Sequence, residues 1–215
     1  MEGYASIRIS VNIILSLTRD KDTINPNQGD TVTVTTQYSG SATINILVQD
    51  SNGQIVRYLV NGEERTAGTY EDVWDGTDDP GNIVSDGAYY FVAEAIMPGG
   101  LSQTYDLTGT GITGTRRSIG GYRANFPYTF APYEDQFCTI TYNVPVAGKV
   151  VADICPYSYY GERVRTLLQF EPQGRGSHTI YWDGMKDDGT MVPSNTRWLV
   201  TIWSYDISPN GVVVE

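Results

Sequence analysis

Polar and apolar residues alternate along most of this chain of 215 residues. The alternation has a period of two, which is typical of β-strands with one buried face. In the first half of the chain it predicts strands at Ser6–Ile13, Thr31–Gln37, Ala42–Val48, Gln54–Leu59, Thr69–Trp74 and Gly87–Ile96. No convincing amphipathic helix interrupts the pattern, so the sequence predicts an all-β fold.

Turn-forming residues separate the predicted strands. The segment Pro26–Asp30 predicts a turn, Asp50–Gly53 predicts a tight hairpin, and Asn61–Gly68 predicts a polar loop. In the second half, Pro145–Gly148 predicts a further hairpin. Short strands with turns at this spacing predict antiparallel β-sandwiches.

The chain repeats itself with a spacing of 108 residues. Trp74-Asp75-Gly76 recurs as Trp182-Asp183-Gly184. Of the 41 positions from 53 to 93, 13 have the identical residue 108 positions later, and Val92, for example, matches Val200. We expect the two Trp-Asp-Gly motifs to form structural corners. Each copy has about 100 residues, the size of a domain with its own core. We therefore predict two tandem Ig-like or fibronectin-like β-sandwiches, residues 1–117 with an extra N-terminal strand and residues 118–215.

The repeated motifs resemble the Ig-like domain of bacterial flagellar hook-capping proteins. The first copy carries the motifs of that family at Pro26–Asp30, Asp50–Leu59, Gly68–Gly76 and Asp78–Tyr89. The second copy keeps Gly161–Leu167 and Gly176–Val192, but it has Ala131–Glu134 at the opening turn and Asn195 in place of Gly87. The resemblance implies an Ig-like fold and a location outside the cell or on its surface. It implies little about function, because one fold serves many functions.

The charge of the chain narrows the range of partners. The net charge is −11 and the isoelectric point is about 4.4. Such a surface repels nucleic-acid phosphates and anionic lipid headgroups, so we expect no nucleic-acid partner. No apolar run reaches the roughly 18 residues of a membrane span.

Four carboxylates of the first copy are candidate Ca²⁺ ligands. Asp75, Asp78, Asp79 and Asp86 lie in turns, and carboxylate oxygens suit this cation. Aspartates in turns also accept hydrogen bonds from the backbone, and the second copy replaces two of the four. We favour the turn role and predict no metal site.

His178 is the only histidine and hence the only candidate base of a Ser-His-Asp triad. It occupies the position of Tyr70 in the first copy, which favours a packing role. No nucleophile or phosphate-binding motif accompanies it. We predict no catalytic residue, no cofactor and no enzymatic activity.

Two other residue groups have alternative interpretations. Tyr157, Tyr159 and Tyr160 occur only in the second copy and form either a contact loop for carbohydrate or protein, or a cover for the end of the sandwich. Cys138 and Cys155 flank the hairpin predicted at residues 145–148 and are candidates for a disulfide. Their opposite parity within the strand patterns disfavours pairing without a bulge, so this pairing stays open.

The two copies also differ at their ends. Leu101–Thr108 adds a predicted strand to the first copy, whereas Val212–Glu215 leaves the second copy short, with an exposed apolar edge. At the start of the chain, Ile7, Ile9, Val11 and Ile13 form the apolar face of a candidate donor strand. An exposed edge and a spare strand pair between subunits by β-strand addition, and contacts between opposite ends propagate head to tail.

These observations support one leading hypothesis and two alternatives. The leading hypothesis is a non-catalytic structural protein of the bacterial exterior, a filament or assembly subunit that binds other copies, or other surface proteins, through terminal strands. One alternative is an accessory Ig-like pair of a secreted enzyme or adhesin, with carbohydrate binding at the tyrosine loop. The other is a scaffold like a hook cap.

Overall fold

A computed structural model describes residues 12–108, 116–120, 136–157, 162–193 and 197–215. These residues form fifteen strands and one short 3-10 helix, Pro26–Gln28, and they contain no α-helix. The strands are β1 (Ile14–Arg19), β2 (Thr23–Ile24), β3 (Val32–Tyr38), β4 (Ala42–Gln49), β5 (Ile55–Arg65), β6 (Gly68–Trp74), β7 (Gly87–Ile96), β8 (Ser102–Tyr105), β9 (Arg116–Gly120), β10 (Cys138–Val144), β11 (Gly148–Pro156), β12 (Arg165–Gln173), β13 (Gly176–Trp182), β14 (Trp198–Asp206) and β15 (Gly211–Val214). The prediction of an all-β fold is confirmed. Within these residues, no helix has the length and apolar character needed to cross a membrane.

The first module consists of residues 12–108 together with β15. One of its sheets has the strand order β1-β3-β6, and the other has the order β2-β15-β7-β4-β5, with β8 also pairing with β7. The inward residues of both sheets form one core, which includes Leu17, Val34, Ile44, Trp74 and Phe91. The alternation in the sequence produces this arrangement, because every second residue of a strand faces the opposite sheet.

The second module consists of the described residues between 116 and 206. Its sheets have the orders β10-β13 and β12-β11-β14-β9. Ile140, Val150, Ile154, Trp182 and Ile202 lie in its core. Each module therefore buries its own apolar faces between two sheets.

The strand pairing differs from the predicted division into residues 1–117 and 118–215. The predicted boundary falls inside β9, which pairs with β14 of the second module. At the other end, β15 pairs with β7 and β2 of the first module. The four C-terminal residues therefore do not form a short edge of the second sandwich, and Val212, Val213 and Val214 are buried instead of exposed.

Two local predictions about turns are wrong. Residues 145–148 do not close a hairpin, because β10 pairs with β13 while β11 pairs with β12 and β14, so the turn carries the chain from one sheet to the other. Residues 61–68 are not a polar loop, because β5 continues to Arg65, opposite Ala42. A register shift near Ile44 and a positive φ of 71° at Gly62 allow the strand to continue through this polar stretch.

The repeat changes its spacing by one residue before β14. Phe91 and Ala93 face the core of the first module, whereas Val92 does not. In the second module Val200 and Ile202 face the core, and Val200 pairs with Ile154 as Ala93 pairs with Ile46, so Val200 occupies the place of Ala93 and not that of Val92. The match of Val92 with Val200 is therefore wrong in structural terms, because a slip of one residue moves a side chain to the opposite face.

Candidate functional site: a C-terminal strand in the first module

The strand β15 lies in the first module although it follows the second module along the chain. Its apolar part is the run Val212-Val213-Val214, and β-branched runs of this kind are typical of strands buried on both faces. It pairs antiparallel with β7 and parallel with β2. A strand from one end of the chain thus completes the sandwich at the other end.

Two short strands share one edge of β7. β15 pairs with Gly87–Tyr90, β8 pairs with Ala93–Ile96, and β4 occupies the opposite side of β7. The backbone N–H of Phe91, between the two short strands, donates to the carbonyl of Asn210 at 2.8 Å. β15 therefore covers main-chain groups that otherwise form an open sheet edge.

The side chains of β15 are buried on both faces of the sheet. Val212 and Val214 are 0% and 1% exposed and belong to the core of the first module. Val213 points to the other face and packs into a smaller cluster between the modules, whose members are Ala88, Tyr90, Ala147, Ile207 and Val213. Burial of each valine contributes about 1.5 kcal/mol or more, so the strand stabilises the first module and its contact with the second.

Asn210 fixes the start of β15. The residue is fully buried, and its Nδ2 donates to the carbonyl of Phe91 at 3.0 Å and to Oγ1 of Thr108 at 3.2 Å. Its Oδ1 accepts a hydrogen bond of 2.7 Å from the Ser208 hydroxyl. A buried amide with these partners sets the register of the strand, because any slip leaves polar groups without partners.

Glu215 fixes the other end of the strand. Its backbone N–H donates to the carbonyl of Ile24 at 3.1 Å, and its Oε1 accepts from the N–H of Gly174 in the second module at 2.5 Å. A Cβ on Gly174 would lie 2.5 Å from this carboxylate, so a larger residue there would displace the Glu215 side chain from this contact. Two further hydrogen bonds join the modules here, from Ala147 N–H to Oδ2 of Asp22 and from Arg175 N–H to Oγ1 of Thr23.

The two predicted corner tryptophans lie in equivalent buried positions. Trp74 and Trp182 are 0% and 1% exposed. Each indole Nε1 donates to the backbone carbonyl three residues later, Thr77 and Met185, at 2.9 Å in both modules. Both rings are therefore core residues.

The other residues of the two corners also repeat their geometry. Oδ1 of Asp75 accepts from the N–H two residues later at 3.1 Å, and Oδ1 of Asp183 does the same at 2.9 Å. Gly76 and Gly184 have positive φ angles of 76° and 82°. A Cβ at Gly76 would lie 2.2 Å from Cγ of Pro26, so both the backbone angle and the packing require glycine.

The four candidate Ca²⁺ ligands are engaged in turns or exposed. A hydrogen bond from the Thr77 hydroxyl lowers the pKa of Asp75. Oδ1 of Asp78 accepts from a backbone N–H in its own turn at 2.7 Å, and Oδ1 of Asp79 accepts from the N–H of Tyr58 at 3.0 Å. Asp86 is exposed. These contacts hold the loops next to the corner, which supports a structural role for the acidic turns.

Cys138 and Cys155 are free and buried. Cys138 faces the core from β10, whereas Cys155 lies in the opposite sheet and is not part of that core. Burial raises the pKa of Cys138 to about 11 and also raises the pKa of Cys155. The two cysteines form no disulfide in the structure, and they lie in different sheets because the chain crosses between sheets where a hairpin was expected.

The other predicted residues are distributed over the surface and the core. Nε2 of His178 lies 3.0 Å from the carbonyl oxygen of Gly174, and its ring stacks on Tyr142, which supports packing. Tyr157 is 45% exposed, while Tyr159 and Tyr160 lie outside the described residues. Of the candidate donor residues, Ile13 is 6% exposed in the first core, and Ile7, Ile9 and Val11 lie outside the described residues.

Sequence reasoning missed the C-terminal site itself. Asn210 carried no recognisable motif, and the Val212–Val214 run was assigned to the second module by chain order. The available signal was the run of three valines, since a strand buried on both faces belongs in the interior of a sheet and not at an exposed edge.

Comparison with known proteins gives one family match. The model of the FlgD Ig-like domain matches residues 21–99. Residues 21–99 are therefore similar to the FlgD Ig-like domain. The match covers less than half of the chain and all of it lies in the first module. No curated protein matches the chain.

Solved structures give weaker likenesses. FlgD from P. aeruginosa is 26% identical with a TM-score of 0.34, over 44% of this chain and 66% of that one. Dimeric latent PorU from Porphyromonas gingivalis is 13% identical with a TM-score of 0.30, over 94% and 20% of the two chains. The E. coli chaperone DraB is 13% identical with a TM-score of 0.31, over 93% and 98%. At these scores the structural likenesses support no functional argument.

Proposed function

We propose that the protein is a non-catalytic structural protein of the bacterial exterior whose copies join head to tail by β-strand addition. One observation supports this most directly. A strand remote in sequence completes the first module through main-chain pairing with β2 and β7 and through full burial of its valines. Strand addition supplies affinity from the backbone and selectivity from the side-chain pockets, which suits a protein whose role is to hold modules together.

We also propose that the second module is a diverged copy of the first. The Trp182 corner repeats the hydrogen bonds of the Trp74 corner. The turns after the corners repeat as well, because Asp79 and Asp187 accept backbone N–H groups at equivalent positions. Repeated packing of this kind supports a scaffold of two Ig-like units rather than a reaction centre.

The location outside the cell rests on the similarity of residues 21–99 to the FlgD Ig-like domain. Modules of this kind occur in secreted and surface-anchored bacterial proteins. The high negative charge of the chain agrees with this location, since it favours solubility.

The charge distribution favours head-to-tail contacts. Residues 12–108 and 211–215 carry 15 acidic and 4 basic side chains, whereas residues 116–210 carry 9 of each. Contact between two first modules therefore brings like charges together. Contact between the first module of one copy and the second module of another avoids this repulsion.

The N-terminal segment is the proposed donor between copies, and its deletion tests assembly. Because Ile13 and Ile14 are buried in the first module, the deletion should stop at Val11. We expect the full chain to form polymers visible by electron microscopy and light scattering, and residues 12–215 to remain smaller. Two double variants of the full-length chain test whether the apolar face of this segment, and not its presence alone, is needed. Ile7→Ser with Ile9→Ser should reduce assembly, whereas Ser6→Ala with Ser10→Ala should not. Polymers of unchanged size after deletion would exclude this donor, and a full chain that stays monomeric would contradict the proposed function.

Carbohydrate binding is a second candidate, favoured by one observation. Tyr157 is 45% exposed, and the guanidinium of Arg197 lies 5.9 Å from the centroid of its ring. Exposed aromatic rings beside polar groups are suited to sugar stacking. Titration with polysaccharides should then change tyrosine and tryptophan fluorescence, and Tyr157→Ala should remove the change while Tyr181→Ala, at another exposed ring, retains it.

A further inference from the structure

We infer that the slot between β2 and β7 of the first module is a docking site for the C-terminal strand of a second copy of this chain. This inference rests on the proposed assembly by strand addition, and it names the C-terminal strand as a donor besides the N-terminal segment, together with the surface that receives it. In the structure the slot holds the strand of its own chain, which shows the contacts that a neighbour's strand would make.

The first argument is that the slot recognises a short autonomous segment. The groups that hold β15 come almost entirely from the first module: the backbone of β7 and β2, the carbonyl of Asp22 and the core around Val212 and Val214. Asn210 adds hydrogen bonds to Phe91 and Thr108 of the same module. Any copy that presents residues 210–215 therefore supplies the complete set of contacts.

The second argument concerns the connection between the strand and its own module. Only residues 207–210 separate β14 from β15, and they include the exposed Pro209. Ile207 is held on the second module, since its N–H donates to the carbonyl of Ala147 at 3.1 Å, whereas Asn210 is held on the first. The change from one module to the other thus occurs at Ser208 and Pro209, and a short connection of this kind is a hinge suited to strand exchange.

The third argument is that β15 and Glu215 make a large part of the contacts that join the modules among the residues the structure describes. The apolar contact is the cluster of Ala88, Tyr90, Ala147, Ile207 and Val213, and Val213 itself belongs to β15. Hydrogen bonds at Asp22 and Thr23 add to it, and the ammonium of Lys149 lies 5.9 Å from the ring centroid of Tyr90. Exchange between copies restores all of these contacts. Docking of the strand in its own chain and docking in another copy then differ mainly in concentration. The effective concentration of the strand within its own chain is on the order of mM for a short connection.

The position of donor and acceptor sets the form of the assembly. The donor follows the second module, and the acceptor belongs to the first module. A contact between different surfaces of two identical subunits is heterologous and extends into a chain unless rotation closes a ring. The acidic first module and the charge-balanced second module alternate in such a chain, so like charges stay apart.

A disulfide trap in the full chain distinguishes exchange from self-docking. Ala88 and Val213 lie directly opposite each other in the antiparallel pair of β7 and β15. The Cα atoms of such pairs are about 4.5–5.5 Å apart, within the range of a disulfide. We would replace Cys138 and Cys155 by alanine and prepare Ala88→Cys, Val213→Cys and the double variant. The two single variants are mixed, refolded together from urea at concentrations from about 10 µM to about 1 mM, and oxidised. Because each chain then has one cysteine, a disulfide can form only between copies.

The inference predicts a cross-linked heterodimer whose yield rises at least tenfold over this concentration range, and a ladder of higher species from the double variant. Mixing Ala88→Cys with Val73→Cys, at a site 58% exposed on the same module, should give only background cross-linking. Thr23→Cys with Val213→Cys, on the parallel side of β15, is a second pair if the first impairs folding.

The possible outcomes separate this inference from the proposed function. If the double variant cross-links only within single chains and polymers are still visible by electron microscopy, the inference is overturned and the proposed function stays in place. If neither polymers nor cross-links between copies form, both the inference and the proposed function are overturned. Cross-linked closed dimers without polymers support the strand exchange and overturn the head-to-tail assembly.

Discussion

Truncation of Val212 tests whether the C-terminal strand stabilises the first module. The residue is fully buried in the core of that module, so Val212→Ala removes two methyl groups from it. At about 0.8 kcal/mol for each buried group, the transfer loss is about 1.6 kcal/mol. The cavity that remains raises the expected loss of unfolding free energy to about 2–3 kcal/mol.

Hydrogen exchange measured by mass spectrometry assigns this loss to a module. Because each 1.4 kcal/mol corresponds to a factor of ten, we expect the slowest amides of peptides covering β7 to exchange about 30- to 150-fold faster in the variant. Peptides covering β10 and β13 should change much less. Val73→Ala is the control, since Val73 lies in the same module but is 58% exposed, and its loss should stay within about 0.5 kcal/mol.

The opposite pattern would refute the reasoning. If Val212→Ala accelerates exchange in β14 and leaves β7 protected, the C-terminal strand belongs to the second module, as chain order alone suggests. A loss below about 0.5 kcal/mol in both modules would show that the strand is not buried at all.

Three further predictions concern the corners and a buried thiol. Trp182→Ala should lower the unfolding free energy by about 3–5 kcal/mol in urea titrations, and a loss below about 1 kcal/mol would place the ring on the surface. Gly76→Ala should lower the thermal midpoint far more than Gly81→Ala, because both glycines have positive φ but only the Cβ at Gly76 would strike Pro26; equal shifts would contradict this. Since burial raises the pKa of Cys138 to about 11 from an ordinary value near 9, the native state retains this proton longer than the unfolded state, so stability should fall as the pH rises from about 9 to about 11. Urea titrations at each pH should show a smaller decline for Cys138→Ala, and an identical decline would exclude this thiol as the cause.

The parts of the fold that the sequence predicted depend on local signals. The strand alternation and the Asp50–Gly53 hairpin were predicted because neighbouring residues set both the side of the sheet to which each side chain points and the geometry of a tight turn. The Trp74 and Trp182 corners were predicted to be structural, and each is closed by a hydrogen bond that spans only three residues. Contacts over such short distances leave a pattern within a single stretch of sequence.

The parts that the sequence did not predict depend on distant partners. The turn at residues 145–148 specifies a change of direction, but whether the chain returns to the same sheet depends on β13 and β12 far along the sequence. The shift of Val200 onto the core face arises because the second copy has one residue fewer before β14, which the identity of two valines concealed. For the same reason the run Val212–Val214 specifies a buried strand but not the sheet that buries it.

The location of β15 has a consequence for assembly. A strand that is covalently part of one module and structurally part of the other links their stabilities, because separating the modules removes Val212 and Val214 from the first core. A single chain that docks its own strand also covers the surface that exchange between copies needs. The closed form is therefore the competitor of assembly, and its lifetime sets the rate at which copies can join. Substitutions that weaken only the small cluster around Ala88 and Ile207 should shorten that lifetime, since this cluster lies between the modules and outside the core that receives the strand.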